Sequence, residues 1–267
     1  MRPFLIRHHV AAICLGICFA FAAITANAQS ADPFENGWTL DSESSALRYM
    51  SVKKGDLAET NSFATLSGLI TEDGKAQIRV LLDSVDTNVD LRNVRMRFLF
   101  FETFLHPEAT ITAQLDPSVL TDLHVTRRKL VDLDYTLSLH GVTVNKTTEV
   151  ALALISNDRV TVSATTPIAL TLTEFNLEGG REKLQEAAGV TIAPLGIVSF
   201  DFVFDRSRPG TPPDASLLAS PVAPGSAALE TKGTLDREAC VGRFEILSRT
   251  GNIYFSAGSA RLDAKST

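Results

Sequence analysis

The chain is 267 residues long, 45% hydrophobic and 21% charged, with a formal net charge of −6. That is enough sequence for one good-sized core with something left over. An acidic chain lacks the cation excess that phosphate neutralisation requires, which argues against nucleic acid as a partner.

The first element is a targeting signal. Arg2 and Arg7 precede the apolar run VAAICLGICFAFAAI, and Ala26-Asn27-Ala28 follows it. This is the layout of a cleaved secretory signal peptide, assigned to residues 1–28, and it predicts a periplasmic protein. The uncleaved-anchor alternative needs about 20 apolar residues, and the small-residue cleavage site speaks against it. Losing Arg2 and Arg7 moves the net charge from −6 to −8. Cys14 and Cys18 leave with the signal, so Cys240 stands alone and a disulfide scaffold is excluded.

From Phe34 to Asp205 the dominant period is two, the mark of strands with one apolar and one wetted face. AQIRVLLDSVDT sets Ala76, Ile78, Val80 and Leu82 on one side. KLVDLDYTLSLHG alternates Val131, Leu133, Tyr135, Leu137 and Leu139 against Asp132, Asp134, Thr136, Ser138 and His140. TEVALAL offers Val150 and Leu152, DRVTVSA offers Val162, and VSFDFVFD offers Phe200 and Phe202. Glu72-Asp73-Gly74, His140-Gly141 and Asn157-Asp158 read as turns between them. Strands in series without intervening helices predict an all-β fold, an antiparallel barrel of about eight strands with one or two short helices. One helix is expected near Arg181–Ala188. An outer-membrane barrel would need two aromatic girdles, and one Trp with three Tyr cannot supply them.

VRMRFLFFETFLHPEAT, residues 94–110, interrupts this pattern. It packs four of fifteen phenylalanines into seven residues among Arg92, Arg95 and Arg97. The segment is too short and too charged to span a membrane. A short helical or irregular crossing is expected, with Phe98, Phe101 and Phe104 inward near one end of the barrel and Arg95 and Arg97 in solvent. It would serve as part plug and part pocket wall.

After Arg206 the composition changes. Residues 206–235 hold five of the eleven prolines and mostly small or polar residues, which reads as a flexible linker. Residues 236–267 form a second short piece. The stretch from Cys240 to Thr267 resembles the entry to an OmpA-like peptidoglycan-binding domain, with a first helix, the strand Ile253-Tyr254-Phe255 and then G-S-A-R-L-D. It stops before the part of that family that contacts the cell wall, so a truncated α/β piece is expected; a chance amphipathic tail is the alternative. Ile253–Phe255 would be a strand without a sheet, loosely packed, and Cys240 a free thiol. Peptidoglycan would be a partner only if that domain were complete.

The barrel region carries a second resemblance. W-T-L-D-S-E-S-S-A-L-R-Y-M-S-V-K (Trp38–Lys53), F-A-T-L-S-G-L-I-T-E-D-G, V-L-L-D-S-V-D-T-N, L-R-N-V-R-M-R-F-L-F-F with H-P-E-A-T, and Y-T-L-S-L-H-G-V-T-V-N-K follow in an order and spacing similar to the YceI-like family. The match runs from Trp38 to Phe204. Where that family usually carries a histidine this sequence has Lys53, and its R-D-x-H-L-x-S reads D-L-R-N-V-R-M. The resemblance implies an exported, extended lipocalin-like barrel that holds a polyisoprenoid chain, such as a quinone or polyprenyl lipid, in its interior. The ligand wall would then take Leu47 and Tyr49 from the first strand, with Ile78, Val80 and Leu82 from the third. The crossing would add Phe98, Phe101 and Phe104. Leu137, Leu139, Val150, Leu152, Val162, Phe200 and Phe202 would complete it from the later strands.

Alternation alone leaves a second possibility open, that the same side chains simply fill a closed core. Other chemistry is poorly supported. His106, His124 and His140 are scattered without a ligand-like spacing, no second mature cysteine exists, and nothing resembles G-x-S-x-G. The expectation is a non-enzyme without cofactor or metal: either a soluble lipid carrier or store, or a structural envelope spacer tethered through its C-terminal module.

Overall fold

The computed structural model describes residues 32–211 and 213. The expected signal peptide, most of the linker, and the 236–267 piece with Cys240 and Ile253–Phe255 lie outside the described residues.

Among the described residues, twelve strands carry the fold. They are β1 (Trp38–Leu40), β2 (Ala46–Lys53), β3 (Leu57–Phe63), β4 (Leu66–Ile70), β5 (Lys75–Leu81), β6 (Val85–Asp86), β7 (Glu108–Gln114), β8 (Arg128–Leu139), β9 (Val142–Ser156), β10 (Arg159–Ala164), β11 (Ile168–Thr171) and β12 (Leu195–Arg206). Four of the interruptions are local. β1 and β2 both pair with β12, β3 and β4 continue one another beside them, and β5 and β6 are parted only by a 3₁₀ turn, Leu82–Ser84. β10 and β11 likewise share β12 as neighbour. The chain therefore makes eight antiparallel runs, each paired with the next in sequence. The last, β12, pairs back onto the first, so the sheet closes into the expected eight-stranded barrel.

Closure is decided locally by the alternation. A strand with one apolar face buries it only if the sheet curls around that face. The tightest turn joins β8 to β9 through His140 (φ 50°) and Gly141 (φ 76°). Two successive left-handed residues make the type I′ geometry that matches strand twist. Twelve register pairs follow, from Leu139↔Val142 to Arg128↔Ala153.

Among the described residues four short helices lie outside the wall: α1 (Asp90–Arg95), α2 (Pro117–Leu120), α3 (Leu123–Thr126) and α4 (Glu178–Ala188). α1 runs on into a π-helical turn, Met96–Phe100. α4 lies where a helix was expected and ends on Gly189, left-handed at φ +63°. α1 and α4 cover one end of the barrel, where β8 turns into β9; α2 and α3 cover the other. At that second end Trp38 donates its indole N–H to the Pro33 carbonyl (2.8 Å), and the Arg206 guanidinium sits 4.2 Å from its ring centroid.

Candidate functional site

The interior is built by the inward residues of each run. Leu47, Ile78, Val80, Leu137 and Phe202 are buried in one apolar cluster, and Tyr49, Leu139, Val162 and Phe200 are half-buried against it. Register brings them together across strands. Ile78 faces Ile111, which faces Leu137, which faces Val144. Phe202 faces Val162, and Val162 faces Leu152, which is half-buried. Phe200 and Phe202 stack with ring centroids 4.5 Å apart. Val150 is buried opposite Val131, and Leu82 is buried in the 3₁₀ turn.

The phenylalanine-rich crossing closes the end near α4. Phe101 packs edge-on against Phe100 at 4.9 Å and lies 5.9 Å from Phe63, which in turn lies 5.6 Å from Tyr49. Phe98 is half-buried beside this chain of rings. Two expectations are corrected here. Phe104 is 43% exposed, and Arg97 is only 3% exposed rather than in solvent. The cause is the same for both. The Phe101 N–H reaches the Met96 carbonyl (2.8 Å), so the turn holds an extra residue and the 3.6-residue spacing slips. The chain then reverses at Glu102, left-handed at φ 47°, which carries Phe104 away from the interior.

One sector of this end is polar, and sequence reasoning did not find it. Continuing the inward alternation of Leu47 and Tyr49, β2 carries Ser51 and Lys53. Their neighbours on β3 are Asn61, opposite Tyr49, and Glu59, opposite Ser51. Asn61 is buried and donates to the Ser51 hydroxyl (3.4 Å). Glu59 accepts from Lys53 at 2.8 Å and also from Arg92. Burial opposes ionisation of Glu59, but the Lys53 hydrogen bond and the Arg92 charge outweigh it and hold its carboxyl below the usual carboxylate range. The backbone N–H of Thr87 donates to the side chain of buried Asn93 at 2.7 Å. At the inner limit of this sector the Tyr49 hydroxyl is buried without a hydrogen-bond partner among the described residues, and burial pushes its phenol well above the usual range. The available signal was parity. Polar residues at inward positions of an otherwise apolar strand mark a site where the interior changes character.

The histidines also came together unforeseen. His106 and His140 lie with ring centroids 4.3 Å apart, and His140 Nε2 is 3.3 Å from a Glu102 carboxylate oxygen. Burial, then the charge of His140, depresses His106. Among the described residues no group of three His, Cys, Asp or Glu is arranged to hold a metal.

A cavity of about 630 Å³ opens beside the short seam between β7 and β8. Thr112, Ala113 and Gln114 line one side; Asp134, Tyr135 and Lys146 line the other. Lys146, opposite Tyr135 in register, is anchored to Glu174 at 2.7 Å.

Comparison with known proteins adds the lineage. Residues 38–204 match the model of the YceI-like domain. No curated protein matches. Among solved structures, the chain is similar to a polyisoprenoid binding domain from Saccharophagus degradans implicated in plant cell wall breakdown. The two are 34% identical with a TM-score of 0.62, covering 64% of this chain and 98% of that one. BcnA of Burkholderia cenocepacia is 17% identical at a TM-score of 0.49, over 61% of this chain and 98% of its own. A YceI protein of Campylobacter jejuni is 13% identical at 0.40, over 55% and 85%.

Proposed function

Because the chain belongs to the YceI-like domain family, we propose that it holds a long polyisoprenoid, a quinone or polyprenyl lipid, inside its apolar barrel for carriage or storage in the periplasm. The observation that carries this reading is the 34% identity, over nearly the whole length of the relative, to a polyisoprenoid binding domain. The physical side agrees with it. Each CH₂ removed from water is worth about 0.8 kcal/mol, so a tail of tens of carbons does not cross an aqueous compartment unaided. A tube of Ile78, Val80, Leu137, Leu139, Phe200 and Phe202 offers burial along its length and needs no directional chemistry. The barrel binds; it does not catalyse.

The polar sector refines the ligand class. An apolar tube ending at Tyr49, Asn61, Glu59 and Lys53 suits an amphiphile whose tail fills the tube and whose oxygen-bearing head reaches the Tyr49 hydroxyl. The test is organic extraction of the purified protein followed by mass spectrometry. A stoichiometric isoprenoid with an oxygenated head is the expected result. Protein that emerges with no isoprenoid, and takes up none when offered ubiquinone in detergent, would leave the structural-spacer reading in its place. The C-terminal resemblance to an OmpA-like domain favours that alternative.

A further inference from the structure

The end of the barrel covered by α2 and α3 carries an unusual surface. In this cover Leu120 packs against the core and Leu123 is buried, while Val119 and Val125 turn outward. Val125 is 72% exposed, Ile155 at the end of β9 is 59% exposed, and Leu130 on the outer face of β8 is 46% exposed. Hydrogen bonds tie together the segments that carry these four residues. The Arg127 carbonyl accepts the Leu154 N–H at 2.8 Å, and its guanidinium donates to the Ile155 carbonyl at 3.0 Å. Lys129 Nζ donates to the Val119 carbonyl at 2.5 Å and pairs with Asp122 at 2.7 Å.

Three successive cations, Arg127, Arg128 and Lys129, run through this patch of a chain whose net charge is −6. Of the nearby acids, Asp116 and Asp122 are already engaged, while Asp132 and Glu149 face each other on the outer surface beyond Leu130. Asp116 caps α2 by accepting the Ser118 N–H, and Asp122 is taken by Lys129. Arg127 and Arg128 are exposed and stand in no ion pair among the described residues. Aliphatic tips ringed by exposed guanidinium groups match the boundary of an anionic bilayer, where apolar atoms enter the acyl region and cations meet lipid phosphates. A nucleic-acid partner would not call for the aliphatics. At the opposite end the exposed pair Phe104 and Leu105 follows Glu102, Arg97 of the same segment is buried, and Lys183 is held by Glu102.

We propose that this end of the barrel docks on an anionic lipid bilayer, with Val119, Val125, Leu130 and Ile155 inserting and Arg127 and Arg128 facing the headgroups. The proposal concerns the outer surface and stands apart from the cargo reading.

The test is co-sedimentation of the full chain with phosphatidylcholine vesicles, with and without phosphatidylglycerol. Partition onto the mixed vesicles is expected to exceed that onto pure phosphatidylcholine by about tenfold and to weaken as salt is raised. Val125→Asp with Ile155→Asp, and separately Arg127→Glu with Arg128→Glu, should each lower it by about tenfold. These positions are exposed, so the variants should melt like the parent apart from the loss of the Arg127 bond to the Ile155 carbonyl, which Arg128→Glu alone leaves in place. Variants that sediment like the parent, or a parent that sediments with neither vesicle, overturn the proposal. Self-association abolished by the same substitutions, without vesicle binding, would assign the patch to a second copy and overturn it too. Vesicle binding by a protein that yields no isoprenoid on extraction would sink the cargo reading and leave this one standing.

Discussion

At the scale of single residues, Tyr49 is the most informative. A buried hydroxyl without a partner costs about 1–3 kcal/mol, and its ring is otherwise well packed against Phe63. Removing only the oxygen should therefore help the empty protein: Tyr49→Phe is expected to gain about 1 kcal/mol in urea unfolding. The same change should weaken binding of ubiquinone by about tenfold, the worth of one buried hydrogen bond, and leave squalene, which has no oxygen, unaffected. Unchanged ubiquinone affinity would show that the head lies elsewhere. Phe202 tests the tube itself. Phe202→Asp places an unpaired carboxylate in the apolar cluster, where it should both expel the ligand and lower stability by about 3 kcal/mol or more, read by extraction and by denaturant titration. A variant that keeps full occupancy would remove Phe202 from the wall. Leu137 and Phe202 were legible in the sequence because period-two alternation fixes which face a side chain takes. Phe104 and Arg97 were not, because their facing depends on one extra residue in a π turn that no side-chain pattern announces.

At the scale of elements, two small devices hold the wall and its cover together. α4 lies against the π-helical turn through Gly180, where an added Cβ would sit 2.7 Å from the Phe100 carbonyl oxygen and 2.9 Å from its Cα. Alanine is a better helix former than glycine by about 1 kcal/mol, so an exposed Gly→Ala change would stabilise. Here the backbone cannot yield cheaply. Gly180→Ala is expected to lower the melting temperature, whereas Gly179→Ala, which meets open space, should raise it or leave it unchanged. The second device bridges the break between β1 and β2. Asp41 accepts from Ser44 and Glu43 backbone N–H groups and from Arg159 at 2.6 Å, and Arg159 also holds Asp205 of β12 at 2.9 Å. The Ser44 and Arg159 hydrogen bonds bring the Asp41 carboxyl down to about 2. A depressed carboxylate contributes stability that is present above its unfolded value, near 3.8, and lost as pH falls through the folded one. The advantage of the parent over Asp41→Asn in chemical denaturation should therefore be full at neutral pH and fade between about pH 4 and pH 2. An advantage that stays constant across that window would mean that the clasp works through shape and not through charge.

At the scale of the whole molecule, the barrel closes on unequal seams. Its strand order was readable, because hairpin turns such as His140-Gly141 join neighbours and neighbours then pair. The interruptions at Asp41–Ser45 and Leu82–Ser84 were not, since they are settled by partners farther along the chain: Val203 of β12 takes the Asp41 N–H at 2.8 Å, and Pro107 takes the Leu82 N–H at 2.9 Å. Least visible of all was the difference between seams. β8 and β9 share twelve register pairs, whereas β7 and β8 share three, Thr110↔Ser138 to Thr112↔Thr136. Beyond Thr112 β7 parts from β8 and runs on to Gln114 along β5 alone before the chain turns to α2 and α3, and the cavity of about 630 Å³ flanks the place where it parts. Local opening takes the path with the fewest backbone hydrogen bonds and the least buried apolar area to break. Opening at this seam leaves the β8–β9 hairpin intact and its Leu137–Val144 pair in place. Native-state hydrogen exchange should therefore find the β7 amides at 110–112 exchanging at least about tenfold faster than the β9 amides from Val144 to Val150. A tail lying along the interior contacts both walls and binds only the closed barrel, so added ubiquinone should slow the β7 amides most. Equal protection across both seams would show that the barrel opens only as a unit, and the cavity would then not mark a point where its wall can part.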